Sequence, residues 1–135
     1  MTLAEVGIAL AITGLTVGGI ITGYLSCARA TVKAEFEQAA NARAMERLEA
    51  THNAIWAPSR ADPVDQLVAT NFPDLVVTLD QPGTNAIGTQ AKIRTTIATI
   101  SSSPPTRSVH VDCIWQFQHG EWVTNSVETI RSGDQ

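Results

Sequence analysis

Charged side chains are almost absent from residues 1–28 of this sequence, where Glu5 is the only one. Between Glu5 and Arg29 there is no Asp, Glu, Lys or Arg, which leaves 23 consecutive uncharged residues. As an α-helix, this run would extend about 34 Å, enough to cross the apolar core of a bilayer. It is too long for a secretory signal peptide and lacks a basic start. The run is therefore expected to span a membrane.

Signs of catalysis and of nucleic-acid binding are also missing. The net charge of -4 provides no basic patch, so no nucleic-acid partner is predicted. The sequence contains no G-x-S-x-G, H-E-x-x-H, Walker or C-x-x-C motif. His52, His110 and His119 are far apart. His110 and Asp112 share one strand face and would be able to orient a base, but an exposed polar face is the favoured interpretation. No enzymatic activity, metal or cofactor is expected.

Cysteine is scarce, with Cys27 and Cys113 as the only two. Two free, buried thiols acting as small apolar residues are favoured. An intrachain disulfide stays open as an alternative, because a head outside the inner membrane would permit oxidation. An interchain bridge is the third alternative. Sequence spacing does not place the two residues within bonding distance.

Glycine, in contrast, is frequent inside the apolar run, although each glycine weakens a helix by up to ~1 kcal/mol relative to alanine. In membranes, small residues allow helices to pack closely, so the pattern favours a helix that packs among other helices. The glycines are Gly7, Gly14, Gly18, Gly19 and Gly23.

Glu5 is the one acidic residue in this apolar stretch, where an ionised carboxylate is costly unless it is paired. The nearest cation in the chain is the α-amino group of Met1. If chains stack with a small axial stagger, the amine of one copy can neutralise Glu5 of the next. This arrangement indicates a polymerisation signal.

These residues resemble a known family. Met1-Thr2-Leu3-Ala4-Glu5-Val6, followed by Ile8 to Ile12, is similar to the mature N-terminus of type IV pilins and type II secretion pseudopilins. Thr2, Leu3 and Glu5 match the family signature, and Met1 stands where Phe is commonest. The basic leader is absent, so Met1 is interpreted as the processed first residue. Thr22 stands where pilins often carry a kinking Pro, and Gly14, Gly18, Gly19 and Gly23 would supply helix packing and local unwinding.

The resemblance implies a structural subunit that polymerises with identical copies through its N-terminal helix. It implies a prepilin peptidase that cleaves and methylates the N-terminus, and a pilus or secretion assembly machinery as a further partner. The subunit would reside in the inner membrane before assembly and then in a periplasmic or extracellular filament. Two alternatives remain: a minor, tip-located subunit that primes assembly or binds a ligand or secretion substrate, and a membrane-tethered enzyme.

Beyond Arg29 the helix is expected to continue as an amphipathic helix to about Ile55, ending before Pro58 and Pro63. Its apolar stripe is predicted to be Val32, Phe36, Ala39 or Ala40, Met45, Leu48 and Ile55. Lys33 with Glu37, and Arg43 with Glu46, stand at pairing distance. Residues 1–28 are thus the transmembrane or filament-core half, and residues 29–135 the globular head with the second half of the helix.

The rest of the head is expected to be β-structure. A helical turn is predicted over residues 64–70 and an exposed connection over residues 101–106. Alternating apolar residues predict strands around Val77 and over residues 91–100, the latter preferred to a helix because of its Thr and Ile content. A turn covers residues 81–85. The clearest strand runs from Val109 to Phe117, and a tight turn returns the chain as a partner strand from Trp122 to Arg131.

Trp115 and Phe117 are assigned to the core by this alternation, and Trp56 and Trp122 to the edges. The fold class is therefore α+β, a long N-terminal helix packed against a small antiparallel sheet. The second half of the chain is similar, more loosely, to the V-type and I-type minor pilins and pseudopilins. The residues that carry this similarity are Ala42, Met45, Glu46, Glu49, Val111, Trp115, Ser126, Val127, Glu128 and Thr129.

Overall fold

A computed structural model describes residues 2–80 and 88–134 of the chain. Within these residues, one α-helix and six strands follow each other in the order α1 (Leu3–His52), β1 (Trp56–Ala57), β2 (Val64–Asp65), β3 (Leu75–Thr78), β4 (Gln90–Ser102), β5 (Pro105–Gln116) and β6 (Trp122–Ser132). Strands β3 to β6 form an antiparallel sheet in sequence order. The α+β class, with a long helix packed on a small antiparallel sheet, is confirmed. The turn predicted over residues 81–85 lies outside the described residues.

The chain divides into two compact units, Met1–Glu35 and Phe36–Gln135. The second, which we call the head unit, contains every fully buried residue of the described chain. The predicted division at residues 28 and 29 marks where charge begins, and it stays a prediction.

Small residues line the face of α1 that packs on the sheet. Its buried positions are Ala40, Ala44, Leu48 and Thr51, spaced three or four residues apart as a helix requires. The prediction that Met45 and Ile55 belong to this stripe was wrong, because both are about half exposed. Alanine carries little hydrophobic weight in a pattern, but its small side chain allows the helix backbone to approach the sheet closely.

The core lies between this helical face and the inner face of the sheet. Val109, Val111, Cys113 and Trp115 alternate along β5 and are fully buried, which confirms the predicted strand. Strand β4 contributes Ala91 and Ile93, and its β-structure confirms the preferred prediction for residues 91–100. The Phe36 ring centroid lies 5.6 Å from that of Trp115, so aromatic packing joins helix and sheet.

Two connections differ from the sequence predictions. In place of a helical turn over residues 64–70, Val64–Asp65 pairs with Trp56–Ala57 as a two-stranded ribbon, followed by a short 3₁₀ turn at Ala69–Asn71. In place of an exposed connection over residues 101–106, Ser102 pairs directly with Pro105, so β4 and β5 form a hairpin. Proline is tolerated in both segments, because each proline lies at the end of a strand or directly beside a strand end.

Two arginines hold the end of α1 and the β1–β2 ribbon against the sheet. Nη1 of Arg131 donates hydrogen bonds to the carbonyl oxygen of Thr51 (2.7 Å), in the last turn of α1, and to that of Ala54 (2.8 Å), just beyond the end of the helix. Arg107 donates to both carboxylate oxygens of Asp65 at 2.7 Å and stacks over the Trp56 ring at 4.6 Å. Trp56 is buried rather than at an edge, because the ribbon and Arg107 cover it.

Candidate assembly site

The first part of α1 presents apolar side chains to its surroundings on every face. Residues 2–31 are all exposed, and Leu10 and Leu15 have 68% and 78% of their surface accessible. An 18-residue window of this helix has a mean hydropathy of 1.9. The helix is therefore long and apolar enough to cross a membrane. A helix on the surface of a soluble protein buries one apolar stripe and turns a polar face to water, whereas this segment has no polar face.

Three threonine hydroxyl groups in this apolar segment are already satisfied within the helix. Thr13, Thr16 and Thr22 each donate a hydrogen bond to the carbonyl oxygen four residues earlier, at 2.8, 2.7 and 2.9 Å. In a water-free environment an unpaired hydroxyl is costly, and these bonds remove that cost. The segment is thus suited to lipid or to a protein core despite its threonines.

The glycines of the segment are not required by packing within the chain. A Cβ added at Gly14, Gly18, Gly19 or Gly23 would meet no atom of the described chain within 4 Å beyond the local helix backbone. Alanine at these positions would strengthen an isolated helix. Two explanations remain for these glycines: close packing against other helices outside the single chain, or a need for local weakness of the helix. Both stay predictions from the sequence.

Glu5 has a local role that the sequence analysis missed. The Thr2 backbone N–H donates to Oε2 of Glu5 at 2.8 Å, and the Glu5 N–H donates to Oγ1 of Thr2 at 3.4 Å. This reciprocal pair is a capping box at the start of α1, and its signal was present as Thr-x-x-Glu. Met1, whose amine was predicted to pair with Glu5 of a neighbour, lies outside the described residues.

The polar cluster on the outer face of the sheet does not have the geometry of a catalytic triad. Nε2 of His110 lies 2.9 Å from Oδ1 of Asp112, and the Ser126 hydroxyl donates to the same oxygen at 2.6 Å. The serine is thus bonded to the carboxylate and not to the imidazole that would have to remove its proton. Nδ1 of His110 faces Glu128 at 3.8 Å on its other side.

Nor do these side chains converge on one point. Asp112 and Glu128 approach different nitrogens of the His110 ring, and among residues 2–80 and 88–134 no group of three His, Cys, Asp or Glu side chains is placed to hold a metal ion. A pocket of about 150 Å³ lies between α1 and the β3–β4 edge. Its guanidinium groups are engaged, since Arg43 pairs with Glu46 at 2.8 Å and Arg47 donates to the Pro73 carbonyl at 2.7 Å.

Both cysteines are free thiols. Cys113 is buried as expected, and its burial raises the pKa of the thiol. Cys27 is exposed on α1, which differs from the favoured expectation of two buried thiols. His52 is exposed in the last turn of the helix, where a solvated position was expected.

Comparison with known proteins finds no family model, no curated protein and no solved structure that matches this chain. The resemblance to type IV pilins therefore stays a prediction from the short N-terminal motif. The α+β arrangement is carried by the structure alone.

Proposed function

We propose that this chain is a structural subunit of a type IV pilus-like or type II secretion pseudopilus filament. The observation that carries the proposal is the exposed first part of α1, which is uncharged over residues 6–28 and has Glu5 in its first turn. An apolar surface of this size is stable only in lipid or against other apolar surfaces. A filament core built from many copies of the helix provides such a surface after the subunit leaves the inner membrane.

Assembly would use Glu5 as the discriminating contact. A carboxylate in an apolar core is costly, and pairing with a neighbour's α-amino group removes that cost while fixing the axial position. The capping box keeps the helix intact up to this residue, because it satisfies amide groups that the first turn leaves free. Glycines that the single chain does not need would permit close helix packing in the core.

The head unit would coat the filament. It has its own core, and its polar outer sheet face carries the His110, Asp112 and Ser126 hydrogen bonds without a convergent site. The partners in this proposal are identical subunits, the inner membrane, a prepilin peptidase and an assembly machinery. No property of the described residues favours a tethered enzyme.

The test separates the charge of Glu5 from its capping role. Glu5→Gln retains a side chain that can complete a capping box, whereas Glu5→Ala loses both the cap and the charge. Both variants are expected to reduce subunit incorporation into sheared surface filaments on the order of tenfold or more, because a neighbour's amine would be left buried without a partner. Incorporation is measured by immunoblot and immunogold microscopy with an antibody against the head.

Near-ultraviolet circular dichroism of the purified variants in detergent serves as the folding control, and the head signal is expected to be unchanged. Wild-type incorporation of Glu5→Gln together with loss for Glu5→Ala would assign Glu5 to helix capping alone and would contradict the charge-pairing step. Label along whole filaments identifies a major subunit, and label confined to tips a minor one. Absence of the wild-type chain from every filament would contradict the proposed function.

A further inference from the structure

Strand β6 forms a long free edge of the sheet. It has 11 residues and pairs with β5 on one side, while among the described residues nothing pairs with its other side. Such edges are usually protected by proline, lysine, a bulge or a very short length. Strand β6 has no Pro or Lys, and its pairing with β5 is regular throughout. An inward-pointing charge also protects an edge, and the one on β6, Arg131, is confined to the C-terminal end of the strand. The opposite edge strand, β3, has only four residues.

The register identifies the backbone groups on this edge. The Phe117 N–H donates to the Glu121 carbonyl oxygen at 2.7 Å, and the same register continues through β5 and β6. Hydrogen-bonded pairs alternate along an antiparallel ladder, so odd-numbered residues of β6 bond to β5. The N–H and C=O groups of the even-numbered residues therefore point away from the sheet. These residues are Trp122, Thr124, Ser126, Glu128, Ile130 and Ser132.

The side chains of the same residues have a self-complementary order. Trp122 and Ile130 are 68% and 65% exposed, more than any other large apolar side chain described in the head unit. They stand four residues to either side of Ser126. A two-fold axis at Ser126 would therefore place each of them opposite the other on a second copy. It would also place Thr124 opposite Glu128, so that no like charges meet.

We propose that β6 is a homodimerisation edge, where two copies pair antiparallel about a two-fold axis at Ser126. The two sheets become one eight-stranded sheet, with Trp122 of each copy packed on Ile130 of the other. The contact is isologous and closes at two copies. It involves no residue of the apolar helix segment, so it holds or fails independently of the filament proposal.

Cysteine cross-linking of the full chain in detergent micelles tests the register, in a Cys27→Ser background that removes the exposed native thiol. In the proposed dimer Ser126 faces Ser126 of the second copy at a Cα separation of about 5.5 Å, within disulfide range. Thr124 of one copy and Thr124 of the other are offset by four residues along the paired strands, about 14 Å, so Thr124→Cys is the matched control. On oxidation with copper phenanthroline and oxygen, Ser126→Cys is expected to yield on the order of tenfold more covalent dimer than Thr124→Cys.

A pair of lysine variants tests the same contact without cysteine chemistry. Ser126→Lys would place two ammonium groups opposite each other, whereas Thr124→Lys would place one opposite Glu128 of the second copy. Sedimentation velocity is expected to show loss of the dimer for Ser126→Lys and its retention for Thr124→Lys. Both positions are exposed, and circular dichroism checks that the head is folded.

Three outcomes would overturn the proposal: no cross-linking of Ser126→Cys, equal cross-linking of both cysteine variants, or equal dimerisation of both lysine variants. Cross-linking of Ser126→Cys to a Val76→Cys chain, but not to itself, would assign the contact to β3 of the second copy and overturn the two-fold arrangement. A normal filament yield from Ser126→Lys, together with loss of the dimer, would show that the two contacts are separate.

Discussion

The two ends of helix α1 have the same backbone conformation for different physical reasons. In the segment before Glu35, no described residue is buried, and the side chains offer apolar surface all around. From Phe36 onwards one face is buried on the sheet through Ala40, Ala44 and Leu48. The second part is stabilised by tertiary packing, whereas the first must obtain its stability from an apolar environment outside the chain.

This difference determines where a substitution is felt. Removal of a buried side chain in the head unit costs transfer free energy and leaves a cavity. Removal of an exposed leucine in the apolar segment leaves the head unchanged and alters only contacts with lipid or with other chains. The two regions can therefore be separated by measuring head unfolding and assembly on the same variants.

The largest expected effect on the head comes from Trp115→Ala. Trp115 is fully buried, and its Nε1 donates to Oδ1 of Asn125 at 2.9 Å. The substitution is expected to lower the free energy of unfolding by about 3–5 kcal/mol. Denaturation followed by near-ultraviolet circular dichroism in detergent measures it. Leu15→Ala is the matched change in the exposed segment, and a loss of head stability of similar size there would contradict the comparison.

A smaller effect is expected when the close contact of the helix with the sheet is overfilled. Ala44 is fully buried whereas Ala42, half a turn away, is exposed. Ala44→Leu is expected to destabilise the head by about 1–3 kcal/mol. Ala42→Leu should change stability by less than about 0.5 kcal/mol. Urea denaturation of the two variants compares them, and equal midpoints would show that α1 does not use this face.

The smallest effect concerns acid stability of the β1–β2 ribbon. Hydrogen bonding to Arg107 lowers the pKa of Asp65 below its ordinary value. A lowered folded-state pKa contributes stability above the unfolded pKa, and that contribution is lost as pH falls below about 4. Because the Asp65 side chain is partly exposed, the contribution is expected to be below about 1 kcal/mol. Asp65→Asn should lower the thermal midpoint at pH 7 and have little effect at pH 2. An equal decrease at both pH values would contradict the ion pair as its cause.

Patterns with a strong local signal were predicted well. The uncharged run predicted the helix, and strict alternation predicted the buried face of β5 with Trp115 inside. The errors arose where the local signal was weak or two-sided. Proline near residues 63 and 104 indicated a cap and a loose connection, but strand pairing with the preceding strand decided both segments. The capping role of Glu5 was not predicted, although Thr2-x-x-Glu5 has the spacing of a capping box.

The sequence by itself determined the division between an uncharged helical segment and a head with alternating strands, because hydrophobic periodicity acts within short stretches of chain. Only the tertiary structure decided which helical face packs on the sheet, how Arg131 and Arg107 are used, and which edge of the sheet is left free. These features depend on residues far apart in sequence. Alanine at a close contact and arginine at a helix end acquire their roles only when the partner surface is in place.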